Sequence, residues 1–236
     1  MEENLKIEIL FPEFCNLYGD ISNMKYLKKC MPKANFIETA FDEEPKFVSE
    51  KINLIYLGPM TEKMQEKVIS KLREYKEKIE EQIAQNVIFL ATGNAIEIFG
   101  KYIENEDGSK IEALGIFDIY AKRDMLHRHN SKFVGTWEDI EIVGFKSQFT
   151  FSYYGENEQN YFSKVEKGVG LNKETNYEGI QKNNFIATYL IGPILILNPN
   201  FTKKIMQKIG IEKPKLAFEE DVIKAYNQRL EELKKL

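Results

Sequence analysis

Cysteine and histidine are almost absent from this chain, two of each among 236 residues. Two thiols, Cys15 and Cys30, cannot build a disulfide framework, and their scarcity fits a reducing, cytoplasmic setting. The two histidines, His127 and His129, stand at i and i+2 in KRDMLHRHNSK, which reads as a solvated polar loop. Without a third ligand such a pair gives no metal site. Long apolar runs are lacking too: none approaches the roughly 20 residues that a bilayer crossing needs. The acidic opening MEENLKIEILFPEF enters a strand pattern at once and does not read as a signal peptide. Nor is there an excess of positive charge. The formal net charge is -4, which argues against a general attraction to nucleic acid or to anionic membrane. Low-complexity linkers and internal repeats are also missing.

What is present suits a globular α/β protein, with 43% hydrophobic and 30% charged residues. Residues 5–11 alternate as a strand, 21–31 carry helical spacing, and further strands are expected at 35–40 and 53–57. Thr61 is placed to cap a long charged helix reaching Ala84, with Met64, Val68 and Leu72 on one stripe. NVIFLA (86–91) is a continuous apolar strand of the kind buried on both faces of a parallel sheet. This βαβ rhythm predicts a mostly parallel central sheet. From about 113 to 191 strand-like pieces dominate, read as an extension of that sheet. Helices are expected at 200–210 and 217–235. The chain is read as a single domain over 1–236. The last helix carries Val222, Ile223, Tyr226, Leu230 and Leu233 as a stripe that packs on the sheet, or else serves as a docking surface.

One segment has the layout of a nucleophile elbow: VIFLATGNAIEIFG (87–100), a strand, a tight turn and a helix. Such a turn projects one side chain from its apex, and the N–H groups that follow can hold an oxyanion. The same segment also reads as an ordinary βα turn with Asn94 as its N-cap.

Three further stretches stand with it in order: NLYGDISNMKYLKK (16–29), VGFKSQ (143–148) and ATYLIGPILILNPN (187–200). Together these resemble the class I glutamine amidotransferases of the CobB/CobQ type. Within them they are most similar to the GatD-like glutaminase subunits of lipid II isoglutaminyl synthase. The corresponding family patterns are N-L-Y-G-D-x-x-N, C-G-G-Y-Q-L-L-G, V-G-F-E-N-H and Y-L-H-G-P-L-L-P-x-N-P. The resemblance implies a flavodoxin-like three-layer α/β/α fold with a β-rich C-terminal half, and no cofactor. It also implies a Mur-ligase-like (MurT-type) partner subunit in peptidoglycan precursor amidation. Family members hydrolyse glutamine with a cysteine thiolate at the elbow, activated by histidine.

The departures fall on those very positions. The family's cysteine corresponds to Gly93, the histidine of Y-L-H-G-P to Ile191, and the histidine of G-F-E-N-H to Gln148. The glycine-rich loop that helps to form the oxyanion hole reads Gly58-Pro59-Met60, and proline has no N–H to donate. Lys132 stands where the GatD-like group tends to carry an arginine for the substrate carboxylate; lysine keeps the charge and loses the bidentate fork. Thr92 and Cys15 are the available substitutes for the nucleophile, and each would still require a base.

Three readings follow. The favoured one is a non-hydrolysing subunit docked on a Mur-ligase-like partner. In the second, the pocket binds another small molecule, with Met60, Ile96 and Ile191 as an apolar wall. In the third, the chain is an active amidotransferase that uses other residues.

Overall fold

A computed structural model describes residues 2–156 and 160–235. The chain begins with β1 (Lys6–Leu10), α1 (Ser22–Cys30), β2 (Asn35–Thr39) and β3 (Leu54–Leu57). Next come α2 (Glu62–Arg73), α3 (Lys76–Ala84) and β4 (Ile88–Thr92), followed by a 3-10 turn over Gly93–Phe99. The β-rich part holds β5 (Tyr102–Glu104), β6 (Lys110–Glu112), β7 (Ile119–Arg123), β8 (His129–Trp137), β9 (Ile140–Gln148) and β10 (Thr150–Tyr154). It ends with β11 (Ser163–Lys167), β12 (Tyr177–Glu178), β13 (Ile180–Lys182) and β14 (Phe185–Thr188). Three helices close the chain: α4 (Ile194–Leu197), α5 (Pro199–Ile209) and α6 (Glu219–Lys235).

The central sheet has the order β13-β14-β4-β3-β1-β2 and is parallel except for the β13–β14 pair. Its inner strands LIYL, IFLAT and FIAT are buried at every residue, because both of their faces are covered. One apolar layer places α2 and α3 over the sheet through Val68, Leu72 and Ile79, and continues into Phe117 and Ile119. The other brings α1, α5 and Trp137 of β8 together through Leu27, Ile205 and Phe201. Thr61 caps α2 as expected, accepting a hydrogen bond from the Met64 N–H at 3.4 Å.

Three local expectations are corrected. The helix from Thr61 to Ala84 is two helices, divided at Tyr75, which takes a non-helical conformation. Of the β-rich stretch, only β13 and β14 extend the central sheet. The remaining strands pair among themselves into two separate four-stranded sheets, β10-β7-β5-β6 and β12-β11-β8-β9. Finally, His129 is not in a loop: it opens β8, directly opposite Gln148 on β9, with its ring 5.2 Å from Phe151. Among the described residues, no helix is long and apolar enough to cross a membrane.

Candidate functional site

In a doubly wound sheet, ligands bind beyond the carboxyl ends of the strands, where connections leave in opposite directions. Here that place lies between β1 and β3, and four loops meet over it: 11–21, 58–61, 92–94 and 189–193. A buried carboxylate ties three of them to one another. Asp20 is 1% exposed, and its Oδ2 accepts from Thr92 Oγ1 at 2.5 Å, Tyr56 OH at 2.8 Å and Asn23 Nδ2 at 3.0 Å. Its Oδ1 accepts from the Gly192 N–H at 3.3 Å. Burial pushes this carboxyl above its ordinary value, while the donors around it pull the other way. Asn23 reaches onward and accepts from the Leu195 N–H at 2.9 Å. The aspartate and the last asparagine of N-L-Y-G-D-x-x-N therefore knit the first loop to the elbow and to the Gly-Pro turn.

The elbow itself is sharp. Gly93 has φ +58°, a left-handed conformation that side chains rarely adopt. A Cβ placed there would lie 2.6 Å from Pro59 Cβ and 3.3 Å from Ile191 Cγ2. The two positions that the family resemblance assigns to nucleophile and base are thus neighbours, with the proline ring lodged between the loops. Gly58 is pressed close as well, since a Cβ on it would meet the Cys15 carbonyl oxygen at 2.3 Å. Asn94 does not cap the turn through its side chain. Its Oδ1 accepts from the Met60 N–H at 3.0 Å, and its Nδ2 donates to the Met60 carbonyl at 2.8 Å. Of the Pro59-Met60 pair, one residue has no N–H and the other has already committed its own.

The cavity between these loops is about 30 Å3, lined by Pro59, Gly93, Glu97, Gln148, Tyr189 and Ile191. Glu97 is buried, and burial raises its carboxyl to about 7. It accepts from Gln65 Nε2 at 2.8 Å and Tyr189 OH at 3.1 Å. Gln148 donates from Nε2 to the Thr150 carbonyl at 2.6 Å, while its Oε1 is buried without a partner among the described residues.

The remaining sequence candidates fall elsewhere. Met60 is fully buried beside Cys15, the thiol donating to its sulfur at 3.9 Å. Burial holds the Cys15 thiol far above its ordinary value, opposite to what a nucleophile requires. Thr92 is fully buried and committed to Asp20. His127 is exposed on a turn, its Nδ1 2.8 Å from Asp124. His129 has an Nε2 buried without a partner among the described residues, and burial lowers its pKa. Lys132 does not line the elbow cavity; its side chain lines a trough against α6.

Sequence reasoning missed the buried partners of this region. Lys146 and Glu178 form an ion pair with both side chains fully buried. Glu178 also accepts from Thr188 Oγ1 and from the Tyr189 N–H, both at 2.8 Å, so the pair braces the strand that leads to Ile191. One signal was available: VGFKSQ carries a lysine where the family pattern has an acid.

As it stands, the arrangement offers a strained turn, an apolar apex and a protonatable carboxyl. Gly93 itself presents no side chain, the Thr92 hydroxyl is committed to Asp20, and the Cys15 thiol is buried against Met60. Two curated relatives are each named lipid II isoglutaminyl synthase (glutamine-hydrolyzing) subunit GatD. That of Staphylococcus aureus is 27% identical over 208 residues, covering 86% of this chain and 83% of the relative. That of Streptococcus pneumoniae is 27% identical over 214 residues, covering 86% and 79%. Among solved structures, a glutamine amidotransferase from Thermotoga maritima superimposes with TM-score 0.52 at 13% identity, over 98% of this chain and 85% of that one. PurLQS from the same organism gives 0.52 at 11% identity, over 87% and 97%. At these identities the structures speak for the fold alone. The CobB/CobQ-like glutamine amidotransferase domain matches residues 6–199, and the chain belongs to that family.

Proposed function

We propose that this chain is a non-hydrolysing member of its family, a GatD-like subunit that acts beside a Mur-ligase-like (MurT-type) protein in the amidation of a peptidoglycan precursor, in the cytoplasm. The observation that carries this reading is the seat of Pro59. Its ring lies where a side chain at position 93 would have to project, with Ile191 on the next side of the same space. A lost nucleophile alone could be an isolated substitution. A proline that fills the vacated volume, an asparagine that consumes the neighbouring N–H and an isoleucine in place of the base point to a pocket repacked as core.

The retained parts support a subunit. Asp20, Asn23 and Asn198 hold loops together rather than face the cavity. Asn198 accepts from the Val143 N–H and donates to the Val143 carbonyl, both at 2.8 Å, anchoring α5 to β9. A cavity of about 30 Å3 lends no support to a metabolite-binding module. A glutaminase working through Thr92 or Cys15 is disfavoured by the committed hydroxyl of the one and the raised pKa of the other.

The test is reconstitution. The chain, co-purified with the Mur-ligase-like protein of its own organism, is expected to support amidation of the precursor from ammonium salts and not from L-glutamine. Amidation from glutamine at a comparable rate would refute the proposal.

A further inference from the structure

A trough that the elbow does not use runs between α6 and the outer side of β8 and β9. Its apolar floor is Phe145, Leu197 and Leu233, and its volume is about 580 Å3. It continues past Lys132 and Leu233 into a second hollow of about 390 Å3 that reaches Lys167. Nearby, α6 covers this face well, with Tyr226 packed on Val134 and Val143. At the trough the cover stops, and Phe145 is left 41% exposed. The exposed Phe145 ring stands beside Leu197 and Leu233 along the open trough.

Its charge is one-sided. Lys132, Lys167, Arg229 and Lys235 line it against Glu232, on a chain whose formal net charge is -4. Lys235 is already paired with Glu231, and Lys167 donates to the Lys234 carbonyl. Lys132 and Arg229 have no ion-pair or side-chain hydrogen-bond partner among the described residues. Two uncommitted cations over an apolar floor complement carboxylates placed around an apolar side chain. The trough is open along its length, so it suits an extended segment rather than an enclosed metabolite. It also borders Gly192, and the Ile191 N–H donates to the Phe145 carbonyl at 2.9 Å. An occupant would therefore bear directly on the loop that carries Ile191.

We propose that this trough is where the partner subunit docks. The partner supplies an acidic segment whose carboxylates meet Lys132 and Arg229 around an apolar side chain seated on Phe145 and Leu233. This rests on the subunit reading above. The test measures binding of the full chain to the purified Mur-ligase-like protein, at low and at high salt, for wild type, the double variant Lys132→Glu/Arg229→Glu and the milder Lys132→Gln/Arg229→Gln. These side chains are exposed, and thermal melts of the variants check that folding is unchanged. Charge reversal is expected to weaken binding about tenfold or more, the neutral variant less, with high salt erasing the difference. A synthetic peptide of alternating aspartate and leucine is expected to compete, and inorganic phosphate is not. Wild-type binding that the variants leave untouched overturns the trough while the subunit reading stands. No binding by wild type overturns both. Competition by phosphate as strong as by the peptide makes this a small-anion site, and self-association lost in the variants makes the occupant a second copy; either result overturns the proposal.

Discussion

At the scale of single residues, the account turns on Gly93. Restoring the family cysteine by Gly93→Cys places a Cβ 2.6 Å from Pro59 at a left-handed φ. We expect a destabilisation of about 1–3 kcal/mol from overpacking and strain, read from denaturant melts, and no release of ammonia from glutamine. Glu97 makes a second prediction. Burial raises its carboxyl from the ordinary 4.5 to about 7, so the folded chain holds this proton more tightly than the unfolded one. Stability from this group is present below about pH 4.5 and declines as pH rises, the loss being complete somewhat above 7. It amounts to about 3 kcal/mol at one pKa unit per 1.36 kcal/mol. Urea melts from pH 5 to 8 are expected to show that slope in the wild type and to lose most of it in Glu97→Gln; an unchanged slope in the variant would exclude this carboxyl as the source.

At the scale of elements, the buried Lys146–Glu178 pair joins β9 to β12 and, through Thr188 and Tyr189, to the end of β14. Removing one partner leaves an uncompensated buried charge. Lys146→Met is expected to cost about 3–5 kcal/mol, and Lys146→Met/Glu178→Gln to recover a large part of it. Equal losses in the single and double variants, by chemical denaturation, would show that the charge is not the reason. Such pairs explain what the sequence left hidden. The strands LIYL, IFLAT and FIAT were legible because burial on both faces demands unbroken apolar runs. The division of α2 from α3 at Tyr75 was not, since no proline or glycine marks it. Nor was the pairing of the β-rich strands into two sheets of their own, because strand partners are chosen by contacts far apart in the chain. His129 looked like a loop residue among polar neighbours, yet the long β8–β9 hairpin carries its pairing out to Gln148.

At the scale of the whole molecule, the family could be read from four ordered motifs, and the central sheet is mostly parallel, as the resemblance implies. What those motifs do could not be read from letters. Asp20 clamps the elbow and the Gly-Pro turn, and Asn198 latches α5 to β9; both are structural links between the loops and elements around the elbow. On this account the scaffold keeps its loops in place for a partner, while the space for a nucleophile and a base has been filled by Pro59 and Ile191. The most direct measurement is ammonia release from L-glutamine by the purified chain, alone and in the presence of the Mur-ligase-like protein. The account predicts release indistinguishable from a heat-denatured control in both cases. Ammonia that accumulates with time and in proportion to the amount of native protein would contradict it.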